Sequence, residues 1–134
     1  KVTFMGYVEN SQIYPYLDES DVFIMVSAPE TFGLAYLEAM ARGNIVIGTK
    51  GWGIDGIVTD GENGYLCEEI SADNLMKKIV KLLAMSSDEY LHMLNNIYRT
   101  VNNNTNEEMS QVYLNVIEQS ILEHQENAIQ SKVN

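Results

Sequence analysis

Glu30 and Glu38 are the residues whose type and spacing could do chemistry in this sequence, and Gly33 lies between them. Glu30 precedes a predicted helix, and Glu38 falls in the second turn of that helix. Unpaired N–H groups near Phe32, Gly33 and Leu34 could hold an anion, while the two carboxylates could accept hydrogen bonds from hydroxyl groups. A phosphorylated sugar carries both kinds of group.

A structural explanation of the same two glutamates stays open at this point. Glu30 could simply favour the helix N-terminus electrostatically, and Glu38 could be a solvated surface residue. Spacing alone does not decide between the two explanations.

Short strands that alternate with helices must position these residues. The alternation predicts an α/β fold with a parallel sheet and helices on both faces. Ligands of such sheets bind at the carboxyl ends of the strands, which directs attention to the loop after Val26 and the glycine-rich loop after Gly48. Strands are predicted at 2–6, 21–26, 45–48 and 64–67, and helices at 11–20, capped by Ser11, and 33–42, with Leu34, Leu37, Met40 and Ala41 on one side.

Nearly half of the chain, from Ser71 onward, is predicted to be mainly helical. Ser71 caps one amphipathic helix, Ser86 and Glu89 form a capping box for a second, and residues 109–121 form a final amphipathic helix. We therefore expect an α/β core at 1–85 and C-terminal helices at 86–134 that pack on the same domain, with order fading beyond Glu123.

Composition and charge exclude several classes of protein. The 134 residues carry a net charge of −11, which argues against nucleic acid as a partner. The single cysteine, Cys67, fits a reducing compartment, so we expect a cytoplasmic protein, and there is no run of eighteen apolar residues. We expect no metal site, because His92 and His124 lack a cluster of neighbouring ligands.

Residues 30–43 read Glu-Thr-Phe-Gly-Leu-Ala-Tyr-Leu-Glu-Ala-Met-Ala-Arg-Gly. This segment resembles the signature of family 4 of the retaining glycosyltransferases, in which seven residues separate two glutamates. The segments at 2–8, 16–27 and 57–66 are similar to that family as well, so the resemblance covers roughly residues 2–85. It implies the C-terminal, donor-binding, Rossmann-like domain of a GT-B fold with a helical C-terminal extension.

By this resemblance a nucleotide diphosphate-sugar is the donor. Glu30 would be the catalytic residue and contact hydroxyls of the transferred sugar, and Glu38 would accept hydrogen bonds from the ribose. Backbone amides of Phe32, Gly33 and Leu34 would contact the sugar and the diphosphate. The family is described as using front-face departure of the nucleotide diphosphate, for which neither a metal nor another cofactor is needed.

The sequence departs from that family in three respects, one of which is the glycine-rich loop at 50–56. An upstream Arg and Lys that grip the diphosphate are absent, as is the N-terminal domain that would bind a sugar or glycolipid acceptor. We therefore expect a fragment that is inactive alone, with peripheral membrane association of the full-length protein left open. The apolar face of the final helix predicts weak self-association.

Two other functional classes remain open. One is a non-catalytic Rossmann-like module that binds a nucleotide or a protein, and the other is a different GT-B enzyme, such as a sugar-nucleotide epimerase or a phosphorylase. The glycine-rich loop also has two interpretations. Lys50 could approach a phosphate and Trp52 could stack on a base, or both could be ordinary surface and packing residues.

Overall fold

Three parallel strands in the order β1-β2-β3 form the sheet, with β2 in the centre. In the computed structural model, which describes residues 1–31 and 33–103, Phe23 lies opposite Val46 and Gly48 opposite Leu66. Every residue of β2 is buried, as the apolar run at 45–48 requires of a strand covered on both faces. The strands are β1 at Val22–Ile24, β2 at Ile45–Thr49 and β3 at Tyr65–Cys67.

Four α-helices connect or follow the strands, and a 3₁₀ turn at Asn10–Gln12 precedes the first. The chain divides into two compact units, Lys1–Val101 and Asn102–Asn134. The predicted α/β class and the three strands at 21–26, 45–48 and 64–67 are confirmed. The helices are α1 at Tyr14–Asp18, α2 at Leu34–Ala41, α3 at Ala72–Leu83 and α4 at Ser87–Asn102.

The predicted strand at 2–6 is wrong. This segment is irregular, and Val2 and Phe4 are 78% and 93% exposed. A strand is stabilised by hydrogen bonds to a neighbouring strand, and within the described residues the backbone of this segment pairs with none. An apolar, β-branched composition was therefore insufficient to form a strand here.

Helix α2 packs on the sheet through Tyr36, Ala39 and Met40, which are all nearly inaccessible to solvent. The sequence pattern had grouped Leu34 with the apolar side, yet Leu34 is 67% exposed. The helix is rotated relative to that prediction because the ring of Tyr36 fills the space above Gly48.

The predicted caps of the later helices are confirmed. The Ser71 hydroxyl accepts the Asn74 N–H at 3.2 Å. The Glu89 carboxylate accepts the Ser86 N–H at 2.8 Å, and the Glu89 N–H donates to the Ser86 hydroxyl at 3.3 Å. The predicted Ser11 cap is wrong, since α1 begins at Tyr14 without a side-chain cap.

Helix α4 contributes Met93 and Ile97 to the same core as the sheet. The division that we predicted at residue 85 falls between α3 and α4, and it stays a prediction. The final helix expected at 109–121 lies outside the described residues.

Asp60 anchors the loop before β3. Its carboxylate accepts the Leu66 N–H at 2.8 Å and pairs with the Lys78 ammonium at 2.9 Å. Burial raises the pKa of Asp60, but the hydrogen bonds from Leu66 and Lys78 and the charges of Lys78 and Lys81 lower it more, so the pKa lies below its ordinary value. The ionised form is therefore the one that stabilises the fold.

This anchor predicts an acid-sensitive contribution to stability. Because the folded-state pKa of Asp60 is depressed, the contribution is present above the unfolded-state pKa and is lost as the pH falls through the folded-state value. Asp60→Asn is expected to lower the free energy of unfolding by about 1 kcal/mol at neutral pH. Urea unfolding between about pH 7 and pH 2.5 should show a shallower pH dependence for the variant. Equal stability of both proteins at neutral pH would contradict this role.

Candidate functional site

The candidate site lies at the carboxyl ends of β1 and β2, where two loops meet. The first loop runs from β1 to α2 and carries Glu30. The second is the glycine-rich loop after β2, and its Gly53 N–H donates to the Glu30 carbonyl oxygen at 2.9 Å. The edge of the sheet at which ligands are expected thus holds two loops joined by a backbone hydrogen bond.

Glu30 is half-buried, and its side chain turns toward the start of α2. Its Oε1 accepts the Gly33 N–H at 3.2 Å. The sequence had suggested that the Gly33 N–H is free to bind a ligand. It is not free, because the Glu30 carboxylate accepts its hydrogen bond. Oε2 of Glu30 has no hydrogen-bond partner among the described residues, so this oxygen remains able to accept a hydrogen bond from a ligand.

Unpaired donors are found one residue further along. Leu34 and Ala35 are the first residues of α2, and no hydrogen-bond partner for their N–H groups is seen in the part of the chain that the structure describes. The next N–H, that of Tyr36, donates to the Gly33 carbonyl at 2.9 Å. The helix start can therefore bind an anion through Leu34 and Ala35. Phe32, the third predicted backbone contact, lies outside the described residues.

Gly33 has a positive φ of 65°, a conformation that side chains disfavour. A Cβ at this position would lie 3.0 Å from Cδ2 of Tyr36 and 3.5 Å from the Gly53 carbonyl carbon. The site thus needs glycine here for both its backbone conformation and its close approach to the second loop.

Gly33→Ala is expected to lower the free energy of unfolding by about 1–3 kcal/mol. The new methyl group would be strained by the positive φ and would also lie too close to the Tyr36 ring. Thermal or urea unfolding would measure the loss. Gly43→Ala is the matched control, since it also has a positive φ, 85°, but no atom within 4 Å of the added Cβ. An equal loss in both variants would show that backbone conformation alone matters at Gly33.

Tyr36 is a buried residue that packs against the site, and the sequence analysis did not identify it. Its ring contacts the positions of Gly33 and Gly48, where an added Cβ would lie 3.0 and 3.1 Å away. Its hydroxyl donates to the Met25 carbonyl at the end of β1. Burial and then the charge of Glu30 raise the pKa of Tyr36. The neutral tyrosine thus links α2 with the ends of β1 and β2.

Glu38 is a half-buried residue of α2. It lines a cavity of about 500 Å³ with α1, and neither Glu30 nor Gly33 lines that cavity. Arg42, the C-terminal cap of α2, lines this cavity too. Its guanidinium pairs with Asp18 at 2.5 Å and lies 4.4 Å from the centre of the Tyr14 ring. Sequence reasoning missed Arg42, although the four-residue spacing from Glu38 was a signal for it.

Metal ligands and membrane spans were searched among residues 1–31 and 33–103. No group of three or more His, Cys, Asp or Glu side chains there is arranged to hold a metal ion. None of the helices described has the length and apolar character needed to cross a membrane.

Many unrelated ligand-binding proteins share a parallel α/β fold with a ligand-accessible edge, and the comparison with known sequences identifies the family. Residues 1–100 match the family described as Glycosyl transferases group 1. The chain belongs to this family.

One similar relative is N-acetyl-alpha-D-glucosaminyl L-malate synthase of Bacillus anthracis. It is 38% identical over 92 residues, which are 69% of this chain and 23% of the relative. The chain thus spans about a quarter of the length of the curated relatives that it matches.

Solved structures agree with this assignment. The C-terminal domain of the group 1 glycosyl transferase LpcC from Francisella tularensis is 33% identical, with a TM-score of 0.65, and the match covers 75% of this chain and 52% of that one. Anabaena HepE, solved in complex with UDP-glucose, is 25% identical with a TM-score of 0.61, and the match covers 69% and 25% of the two chains. The predicted C-terminal GT-B fold is confirmed.

Proposed function

We propose that this chain is the donor-binding part of a retaining glycosyltransferase of family 4, which transfers a sugar from a nucleotide diphosphate-sugar to an acceptor in polysaccharide or glycoconjugate synthesis. The observation that carries the proposal is the Glu30 turn. A carboxylate lies beside two backbone N–H groups at the edge of the sheet where α/β proteins bind ligands, and among the described residues its Oε2 and both N–H groups have no hydrogen-bond partner. Membership in the group 1 family and the HepE complex with UDP-glucose support it.

The sugar and the diphosphate would be held at the start of α2. Oε2 of Glu30 would accept a hydrogen bond from a hydroxyl of the transferred sugar. The N–H groups of Leu34 and Ala35 would donate to diphosphate oxygens, and the positive end of the α2 dipole would stabilise the charge on the departing phosphate. Both N–H groups belong to the first turn of α2, which Gly33 caps, so the backbone would need little reorganisation when the diphosphate binds.

The nucleoside would occupy the cavity beside Glu38. Its volume of about 500 Å³ is within the range of small-molecule sites. Glu38 would accept hydrogen bonds from the ribose hydroxyls. Acceptor binding, a cytoplasmic location and contact with a membrane surface would belong to the full-length protein, and we propose them on the strength of the family resemblance and the lone Cys67.

Calorimetric titration of the chain with UDP, GDP and ADP and with their glucose conjugates tests this function. We expect saturable binding of one nucleotide and its sugar conjugate, and no binding of free glucose. Absence of binding by every nucleotide at millimolar concentration would contradict the proposal and favour a module that binds a protein partner.

A further inference from the structure

Trp52 is an aromatic side chain that the proposed site leaves unused. It is 41% exposed, whereas Tyr36 of α2 and Tyr65 of β3 are 1% and 2% exposed. The turn that carries it is nevertheless fixed. The Gly51 N–H donates to the Asp55 carboxylate at 2.6 Å, and the Asp55 N–H donates to the Trp52 carbonyl at 2.6 Å.

This turn lies directly against the Glu30 turn. The residue after Trp52 is Gly53, whose N–H donates to the Glu30 carbonyl at 2.9 Å. An added Cβ on Gly33 would lie 3.5 Å from both the Gly53 carbonyl carbon and the Ile54 nitrogen. Trp52 is thus next in sequence to a residue bonded to the Glu30 turn, which is proposed to hold the sugar, whereas Glu38, where the nucleoside is proposed to bind, lies in α2.

An exposed aromatic side chain in a turn that is hydrogen-bonded to the Glu30 turn matches the chemistry of a sugar ring. One side of a pyranose presents C–H bonds, which pack on an aromatic ring, and its rim presents hydroxyl groups, which donate to carboxylates. Glu30 and Asp55 are both acidic, so the surroundings favour a neutral sugar over a uronic acid. A nucleobase is also flat, but it lies beyond the diphosphate from the transferred sugar.

We propose that Trp52 stacks on the transferred sugar and helps to select a neutral hexose. This inference rests on the proposed donor-binding function. In this arrangement Trp52 contacts the sugar, and the nucleobase binds in the cavity lined by Glu38.

Tryptophan fluorescence tests the assignment directly, because Trp52 is the only tryptophan in the chain. The chain is titrated with UDP, UDP-glucose and UDP-glucuronic acid, and calorimetry measures binding of each in parallel. We expect UDP-glucose to change the emission and UDP to bind without a comparable change. We also expect UDP-glucuronic acid to bind more weakly than UDP-glucose.

The affinities of Trp52 variants provide a second test. Trp52→Ala is expected to weaken UDP-glucose binding about fivefold and to leave UDP binding nearly unchanged, while Trp52→Phe retains most of the affinity. Tyr98→Ala is the control, because Tyr98 is an aromatic residue of α4 that is 69% exposed and has no part in the site.

The outcomes separate this inference from the function on which it rests. An equal change in emission with UDP alone, or an equal loss of UDP affinity in Trp52→Ala, would overturn the sugar assignment in favour of base stacking. Binding of UDP-glucose with unchanged emission and unchanged affinity in the variant would overturn any contact. If calorimetry detects no binding of UDP, GDP or ADP or of their glucose conjugates, both the inference and the proposed function fail.

Discussion

Tyr36→Ala is expected to lower the free energy of unfolding by about 3–5 kcal/mol, the largest effect of any substitution considered for this chain. The ring is 1% exposed, lies against Gly33 and Gly48, and meets Phe23 edge to face at 5.6 Å between ring centres. Its removal leaves a cavity at the junction of α2 with β1 and β2. Since domains of this size are stable by about 5–15 kcal/mol, a large fraction of the variant should be unfolded at moderate temperature.

Tyr36→Phe separates the ring from the hydroxyl. It keeps the packing and removes the hydrogen bond to the Met25 carbonyl, so a loss of about 1–2 kcal/mol is expected. Urea unfolding followed by circular dichroism measures both variants. A loss for Tyr36→Ala no greater than that for Tyr36→Phe would contradict the packing role assigned to the ring.

Glu38→Ala is expected to weaken binding of a nucleoside diphosphate about 10- to 100-fold, as the loss of charge-assisted hydrogen bonds to ribose predicts. Stability should change little, because Glu38 is half-buried and has no hydrogen bond or ion pair within the described residues. Calorimetric titration gives the affinity, and urea unfolding shows that the fold is retained.

The control for this prediction is Glu69→Ala, which removes the same charge from an exposed residue before α3. It should leave the affinity within about twofold of the original, because the Debye screening of an exposed charge is strong at physiological salt. Equal loss in both variants would show that the effect comes from net charge, and unchanged affinity in Glu38→Ala would remove Glu38 from the site.

Much of the fold could be predicted because local signals and tertiary structure agree. The run at 45–48 contains no polar or charged side chain, and it forms most of the central buried strand. The caps at Ser71 and Ser86 depend only on residues three positions away, so they form as the sequence indicates. The segment at 2–6 failed because strand formation depends on a partner, which local sequence does not reveal.

The candidate site was predicted only in part, for a similar reason. The positions of Glu30 and Gly33 in a strand-to-helix turn follow from the pattern of glycine and apolar residues. Two other features depend on contacts between distant segments. One is the hydrogen bond from the Gly53 N–H to the Glu30 carbonyl, which joins the two loops, and the other is the packing of the Tyr36 ring against Gly33 and Gly48. The cavity beside Glu38 likewise needs Asp18 from α1.

Donor binding at the Glu30 turn is tested most directly by two-dimensional amide spectra of the chain, recorded during titration with UDP, GDP and ADP and their glucose conjugates. If the chain binds a nucleotide-sugar donor at the Glu30 turn, the largest shifts will fall on the amides of Gly33, Leu34, Ala35 and Gly53, and Glu38→Ala will weaken them. Shifts confined to the separate cavity of about 530 Å³ lined by Gly61, Glu62 and His92, or no shifts at millimolar ligand, would contradict it.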